Sequence, residues 1–174
     1  MEWLDSMKQM QVQKLLDTNV YTEQYGLQLS AKDTELLLQE RTAALKDARR
    51  VEFGEGIITE IIRVFCDSEY ITQDDYVEYL IRLQEIFYLY KNEMEDEITD
   101  AELLNFMKEQ FETVCYGDLD YLETTCLEVF SQAVRAGYRE YRKTDGKHIY
   151  ARLDEVKRWD RELYMEVLKE LCWR

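Results

Sequence analysis

Hydrophobic positions recur every three to four residues along most of the chain, which is the period of an amphipathic α-helix. The clearest case is the stretch 51–91, where two such patterns stand on either side of one short turn. Residues 57–65 carry little polar surface, so we predict a central buried helix there. Residues 76–90 predict a long amphipathic helix, and we expect the rest of the chain to be arranged around this pair.

Three of the predicted helix starts carry a capping box, in which a Ser or Thr and an acidic residue three positions later satisfy free backbone amides. The pairs are Ser30 with Asp33, Thr72 with Asp75, and Thr99 with Glu102. Asp118 is a further candidate N-cap. We therefore predict helices that begin close to each of these positions, and a final helix from about residue 149.

Residues 1–29 are predicted to form an N-terminal helical arm and a connector. Residues 1–16 show a loose helical pattern, which indicates packing on the body of the protein or on a partner. Leu27 and Leu29 alternate with polar residues, as a short extended piece would. With six or seven helices and mostly short turns, we predict one all-α domain over residues 1–174, an irregular bundle of antiparallel helices.

Composition supports this fold class and restricts the partners. The 174 residues include no proline and only six glycines, so few positions interrupt a helix. The formal net charge of -15 disfavours binding to a nucleic-acid backbone, which needs clustered Lys and Arg. The charge is uneven: residues 91–128 hold 12 acidic and 2 basic residues, whereas residues 135–152 hold 6 basic and 2 acidic.

The sequence favours a cytoplasmic protein. Its first residues, MEWLDSMKQMQ, lack the cationic start and apolar run of a signal peptide. No stretch approaches 18 continuous apolar residues, so we predict no membrane span.

The supply of metal ligands is poor, and we predict no metal or cofactor. Four cysteines, Cys66, Cys115, Cys126 and Cys172, are scattered without a C-x-x-C pair, and His148 is the one histidine. This arrangement favours buried free thiols over a zinc or iron–sulfur site. Cys66 and Cys126 stand beside apolar residues and are predicted to lie in the core.

The segment 91–102 resembles a calcium-binding EF-hand loop in phase, with Ile98 at its eighth place and Glu102 at its twelfth. Lys91 stands where the first acidic ligand is needed, and Asp96 where glycine makes the sharp turn. We therefore interpret the segment as a solvated acidic turn before a capping box.

Other catalytic or phosphate motifs are weak. Asp145 and His148 have a spacing that suits an acid–base or metal pair on a helix, but Gly146 between them indicates a turn. Gly54 and Gly56 lack the third glycine and the preceding strand of a dinucleotide fingerprint. They indicate a backbone requirement, at a helix N-terminus whose amides suit an anion. We assign no catalytic residue.

A basic stripe is the best candidate binding surface in the sequence. Arginines recur at helical spacing with tyrosines between them: Arg135, Tyr138, Arg139, Tyr141, Arg142 and Lys143. Such a stripe suits the capture of carboxylate or phosphate groups. The alternative interpretation is that these cations complement the helix dipole and pair with the acidic segment 91–128.

Four short segments resemble one family. They are residues 50–57 (RVEFGEGI), 65–68 (FCDS), 87–93 (FYLYKNE) and 100–103 (DAEL). Together they are similar to a family of small proteins from Gram-positive anaerobic bacteria, catalogued as a domain of unknown function, and the resemblance covers roughly residues 19–127. It implies a bacterial cytosolic protein and supplies no activity, substrate or catalytic residue.

The sequence leads to three functional hypotheses. The first is a non-enzymatic protein-interaction or adaptor module with a protein partner or self-association, favoured by the 13 tyrosines and the split charge. The second is a small-anion or nucleotide binder that uses the basic stripe. The third is an enzyme whose carboxylates and tyrosines converge from different helices.

Overall fold

The computed structural model describes residues 2–52, 54, 56–94 and 97–134, and the regular structure of these residues is helical throughout. The helices are α1 (Glu2–Asp17), α2 (Asn19–Thr22), α3 (Ala31–Ala48), α4 (Ile57–Phe65), α5 (Tyr76–Glu93), α6 (Asp100–Thr113), α7 (Leu119–Tyr121) and α8 (Glu128–Ala133). Two 3-10 turns cover Glu23–Tyr25 and Gln73–Asp75, and a π-helix, Leu122–Leu127, joins α7 to α8. The prediction of an all-α fold is confirmed.

The chain divides into two compact units, Met1–Tyr88 and Leu89–Arg174. The first unit contains α1 to α4 and most of α5, and the second contains α6 to α8. A single domain over residues 1–174 remains a prediction. The helix expected from about residue 149 lies outside the described residues.

All three predicted capping boxes are present. In the box that starts α3, the Asp33 amide donates to Ser30 Oγ at 3.0 Å and the Ser30 amide donates to Asp33 Oδ2 at 2.9 Å. The boxes of Thr72 and Thr99 have the same reciprocal form. Asp118 caps α7 by accepting from the Tyr121 amide at 3.1 Å. These helix starts are local, so the sequence alone locates them.

The short helix α4 is buried along most of its length, as predicted. Its five largest apolar side chains are no more than 4% exposed: Ile57, Ile58, Ile61, Ile62 and Phe65. Arg63 is on the exposed side and pairs with Glu60 one turn back. The helix therefore forms part of the core of the first unit and shows solvent only a narrow polar strip.

The connector between α2 and α3 is extended and held by two amide side chains. Asn19 donates to the Leu29 carbonyl and accepts from the Leu29 amide, both at 2.8 Å. Gln73 pairs with both backbone groups of Gln28 in the same way, at 2.7 and 2.9 Å. These contacts satisfy the backbone as a neighbouring strand would, while Leu27 and Leu29 are buried. The extended connector was predicted from the same two leucines.

The second unit is built around α6 and the helical segment that follows it. Phe106 of α6 stacks on Phe130 of α8, with ring centroids 3.7 Å apart and an interplanar angle of 11°. One continuous helix was expected after Asp118, and in the described residues it is interrupted by the π-helix. A π segment holds one residue more per turn than the α-helical hydrophobic pattern assumes, so that pattern did not reveal it.

Candidate functional site

The predicted basic stripe lies outside the described residues. This applies to all six of its members: Arg135, Tyr138, Arg139, Tyr141, Arg142 and Lys143. Asp145 and His148 lie outside them as well. Anion or nucleotide binding by the stripe therefore remains a prediction from helical spacing.

A polar cluster of Arg41, Glu52 and Tyr88 lies within the first unit. Arg41 is on the buried face of α3, and its Nη2 lies 3.8 Å from Oε2 of Glu52. The Tyr88 hydroxyl, on α5, donates to the same carboxylate oxygen at 2.6 Å. The cluster thus ties the loop before α4 to two helices by charge and hydrogen bonding.

One edge of the Arg41 guanidinium packs against Gly56, the N-cap residue of α4. Nε and Nη2 are both buried, and neither has a hydrogen-bond partner among the described residues. A Cβ placed on Gly56 would lie 2.9 Å from Nη2, 3.0 Å from Nε and 2.4 Å from Glu52 Oε2. The close approach of Gly56 to the Arg41 guanidinium explains why glycine is needed here. In this arrangement Gly56 covers Nε and Nη2, so an anion from solvent does not reach them.

Three buried tyrosines act as hydrogen-bonding or packing groups. Burial raises the pKa of the Tyr88 hydroxyl well above its ordinary value, and the bond to the Glu52 carboxylate raises it further. Burial likewise raises the pKa of Tyr76 and of Tyr90, the latter with the help of the nearby Glu128 charge. At neutral pH these hydroxyls stay protonated. They can therefore donate hydrogen bonds, but they do not serve as general bases.

Shallow polar grooves run between α1 and α3. One has a volume of about 380 Å³ and is lined by Lys8, Gln11, Glu35, Leu38, Gln39, Arg41 and Thr42. The second, of about 550 Å³, is lined by Asp5, Lys8, Gln9, Val12, Gln13 and Glu35. Both share Lys8 and Glu35, and several of their walls are glutamine amides. Such walls present hydrogen-bond donors and acceptors side by side, as the polar part of a protein interface does.

The first turns of α1 expose large apolar side chains. Trp3 is 70% exposed, Leu4 and Met10 are 60% exposed, and Met7 is 37% exposed. Trp3, Met7 and Met10 follow each other at helical spacing, so they form one face, here called the apolar stripe. The C-terminal part of α1 is anchored, since Leu15 is fully buried and α1 packs against α3. Residues 2–10 project their side chains into solvent.

The turn that resembles a calcium loop is organised by a lysine. Lys91 is 6% exposed, and its ammonium donates to the Ile98 carbonyl and lies 2.8 Å from Asp100 Oδ1. A cation thus occupies the place where a calcium loop would need its acidic first ligand. Within the described residues, no three His, Cys, Asp or Glu side chains come together in a metal-binding group. The interpretation as an acidic turn before a capping box fits this geometry.

The cysteines that the structure describes are buried, as predicted. Cys66, Cys115 and Cys126 are free thiols with exposed fractions of 6%, 2% and 0%. In the described part of the chain, no helix is both long and apolar enough to cross a bilayer.

The match to a family model covers residues 14–140 and so includes α2 to α8. The chain belongs to DUF6323, a family of unknown function. The DUF6323 match is wider than the span of about 19–127 that the sequence segments indicated. It includes Arg41, Glu52 and Tyr88, while the apolar stripe of α1 precedes it. No curated protein and no solved structure matches the chain.

Sequence reasoning did not single out Arg41 and Glu52, and it named Lys91 only as the residue that stands where a calcium loop needs its first acidic ligand. Arg41 and Lys91 nevertheless leave a signal of burial. Arg41 lies on the buried face of α3, four residues after Leu37 and three after Leu38. Lys91 follows Phe87 by four residues on the buried face of α5. A Lys or Arg at a position where the helical pattern expects an apolar residue indicates a buried cation that has a polar partner. Glu52 leaves no such sign, because it belongs to a loop.

Proposed function

We propose that this protein is a non-enzymatic interaction module that acts in the cytoplasm and self-associates through α1. The observation that carries the proposal is the apolar stripe of Trp3, Met7 and Met10, exposed on a helix whose other end is anchored. Tryptophan and methionine are enriched at the centres of protein interfaces and depleted on free surfaces. The family resemblance supports the cytoplasmic setting.

The proposed partner is α1 of a second copy, running antiparallel. Centring the pair between Ser6 and Met7 sets Trp3 of one copy opposite Met10 of the other. A second copy fits as the occupant because the stripe is complementary to itself in this register about a two-fold axis. The Trp–Met contact adds a favourable sulfur–aromatic interaction.

Light scattering coupled to size-exclusion chromatography, over a range of protein concentrations and at low and high salt, tests the proposal. We expect a species of twice the 21.0 kDa chain mass that persists at high salt, since the contact is apolar. The double variant Trp3→Ser, Met10→Ser should be a monomer at every concentration. Val20→Ser, which removes an 83% exposed apolar side chain from α2, is the matched control and should stay dimeric.

A wild-type chain that is monomeric throughout, or a Trp3→Ser, Met10→Ser variant that still dimerises, would overturn the proposal.

A further inference from the structure

Two buried cysteines of the second unit touch each other. The Sγ atoms of Cys115 and Cys126 are 3.7 Å apart, which is van der Waals contact for sulfur. Cys115 lies in the turn after α6, and Cys126 is inside the π-helix. Their thiols are free, and the pair is formed by residues 11 positions apart in the sequence. The contact therefore results from the fold of this unit and is independent of α1.

The backbone on the Cys115 side holds its thiol in place. The Cys115 amide donates to the Gln110 carbonyl at 2.8 Å, and the Asp118 amide donates to the Cys115 carbonyl at 3.0 Å. The Gly117 amide donates back to Phe111 at 3.0 Å, and Gly117 has a φ of +84°. These bonds close the turn after α6 and fix the backbone that carries the Cys115 thiol.

We propose that Cys115 and Cys126 are a dithiol modification site that a peroxide converts to an intramolecular disulfide. Bond formation needs the sulfurs to close from 3.7 Å to about 2.05 Å, a movement that side-chain rotation and a small shift of the turn supply. The reaction closes a ring across the turn between α6 and the π-helix. A thiol reductant reopens it by exchange.

The chemistry balances with hydrogen peroxide as the oxidant. The Cys115 thiol loses its proton and attacks one peroxide oxygen, and the O–O bond breaks. The leaving hydroxide takes up that proton, so the products are a sulfenic acid and water. Cys126 then attacks the sulfenic sulfur, which forms the S–S bond and releases a second water. Cys115 is assigned as the thiol that reacts with peroxide. Its neighbour Tyr116 is 62% exposed, so local opening of the turn brings peroxide to Cys115.

The position of trypsin sites makes the test direct. Residues 109–135 contain Cys115 and Cys126, no other cysteine, and no Lys or Arg before Arg135. After peroxide treatment of the folded protein and alkylation of free thiols, we expect this peptide to lose about 2 Da and to take up no alkylating reagent. Dithiothreitol should restore both alkylation sites. This readout needs no variant and so does not depend on a substitution that fails to fold.

Variants provide the controls. Cys66→Ala removes a buried thiol of the other unit and should leave the oxidised peptide unchanged. Cys126→Ala should abolish the loss of mass and leave Cys115 as a sulfenic acid that a dimedone-type probe traps. In the wild type, peroxide should also raise the melting temperature, because a ring constrains the unfolded chain. The proposal is overturned if residues 109–135 stay fully alkylatable after peroxide, or if Cys115 pairs with Cys66 or Cys172.

Discussion

The Tyr90 hydroxyl donates a hydrogen bond to the backbone carbonyl of Glu123, which lies inside the π-helix. The bond ties the end of α5 to the π-helix of the same unit. Tyr90 is 3% exposed, and water does not easily replace it. We therefore expect Tyr90→Phe to lower the free energy of unfolding by about 1 kcal/mol, measured by urea denaturation.

Tyr25→Phe is the control for this substitution, because the Tyr25 side chain is 46% exposed. Loss of its hydroxyl should change the free energy of unfolding by less than about 0.5 kcal/mol. Equal effects of the two variants would mean that the Tyr90 hydroxyl does not support the π-helix.

Tyr88 makes the protein sensitive to alkali. Burial, followed by the bond to Glu52, raises the folded-state pKa of Tyr88 above the value of about 10 that it has when unfolded. The unfolded chain then loses this proton first, so the stabilisation is complete below about pH 10 and is lost as the pH rises beyond it. The measurement is the urea midpoint between about pH 8 and pH 11, the window set by this shift.

Tyr88→Phe should have a shallower loss of stability above pH 10 than the wild type, although it is less stable at pH 8. Lysines titrate in the same range in both proteins, so the difference between the two slopes isolates the tyrosine. Parallel slopes would rule out Tyr88 as the source.

Replacing Gly56 should cost more than replacing Gly26. Its φ of +60° disfavours any L side chain, and a new Cβ would lie 2.4 Å from the Glu52 carboxylate. Gly26 is the matched control, with a φ of +76° and, among described atoms, nothing within 4 Å of a new Cβ. Gly26→Ala should cost about 1–2 kcal/mol from backbone strain alone.

Gly56→Ala should cost this amount and a further 1–3 kcal/mol, on the order expected for displacing the Arg41 and Glu52 side chains. Thermal unfolding followed by circular dichroism compares the two variants. Equal melting temperatures of the two variants would show that the Arg41 and Glu52 side chains move aside without a loss of stability.

Lys91 should contribute more to stability than an exposed cation. Its ammonium is buried between the Ile98 carbonyl and Asp100, and Lys91→Met leaves that carbonyl without its charged donor. We expect a loss of about 1.5–3 kcal/mol in the free energy of unfolding. Arg63→Met, which breaks the exposed pair with Glu60, should cost less than about 1 kcal/mol. Similar losses for both would contradict the structural role of Lys91.

Local features of this fold were readable from the sequence, and tertiary ones were not. The Ser30 box and the buried face of α4 depend on residues within one or two helical turns, so a periodic pattern contains them. The Glu52–Tyr88 hydrogen bond joins residues that are 36 positions apart, and the local sequence around neither residue indicates it. The contact of Cys115 with Cys126 depends on the π-helix, which a pattern based on 3.6 residues per turn does not represent.

The candidate surfaces divide in the same way. The apolar residues of α1 were visible, but the sequence left open whether they pack on the body or on a partner. The structure distinguishes the two ends of the helix, because Leu15 is buried while Trp3 and Met10 are exposed. Charge counts gave no indication that Arg41 and Lys91 are buried, since burial depends on which helices meet.

The π-helix lets the second unit change its length by one residue without a change of register. A π turn is equivalent to an α-helix that has accepted one additional residue, so deleting Thr124 or Thr125 would allow regular α-helix to re-form. The residues after the deletion would then keep their angular position about the helix axis, and Phe130 would keep its stack on Phe106. Length variation of one residue is therefore expected to be tolerated between Leu122 and Leu127 within DUF6323.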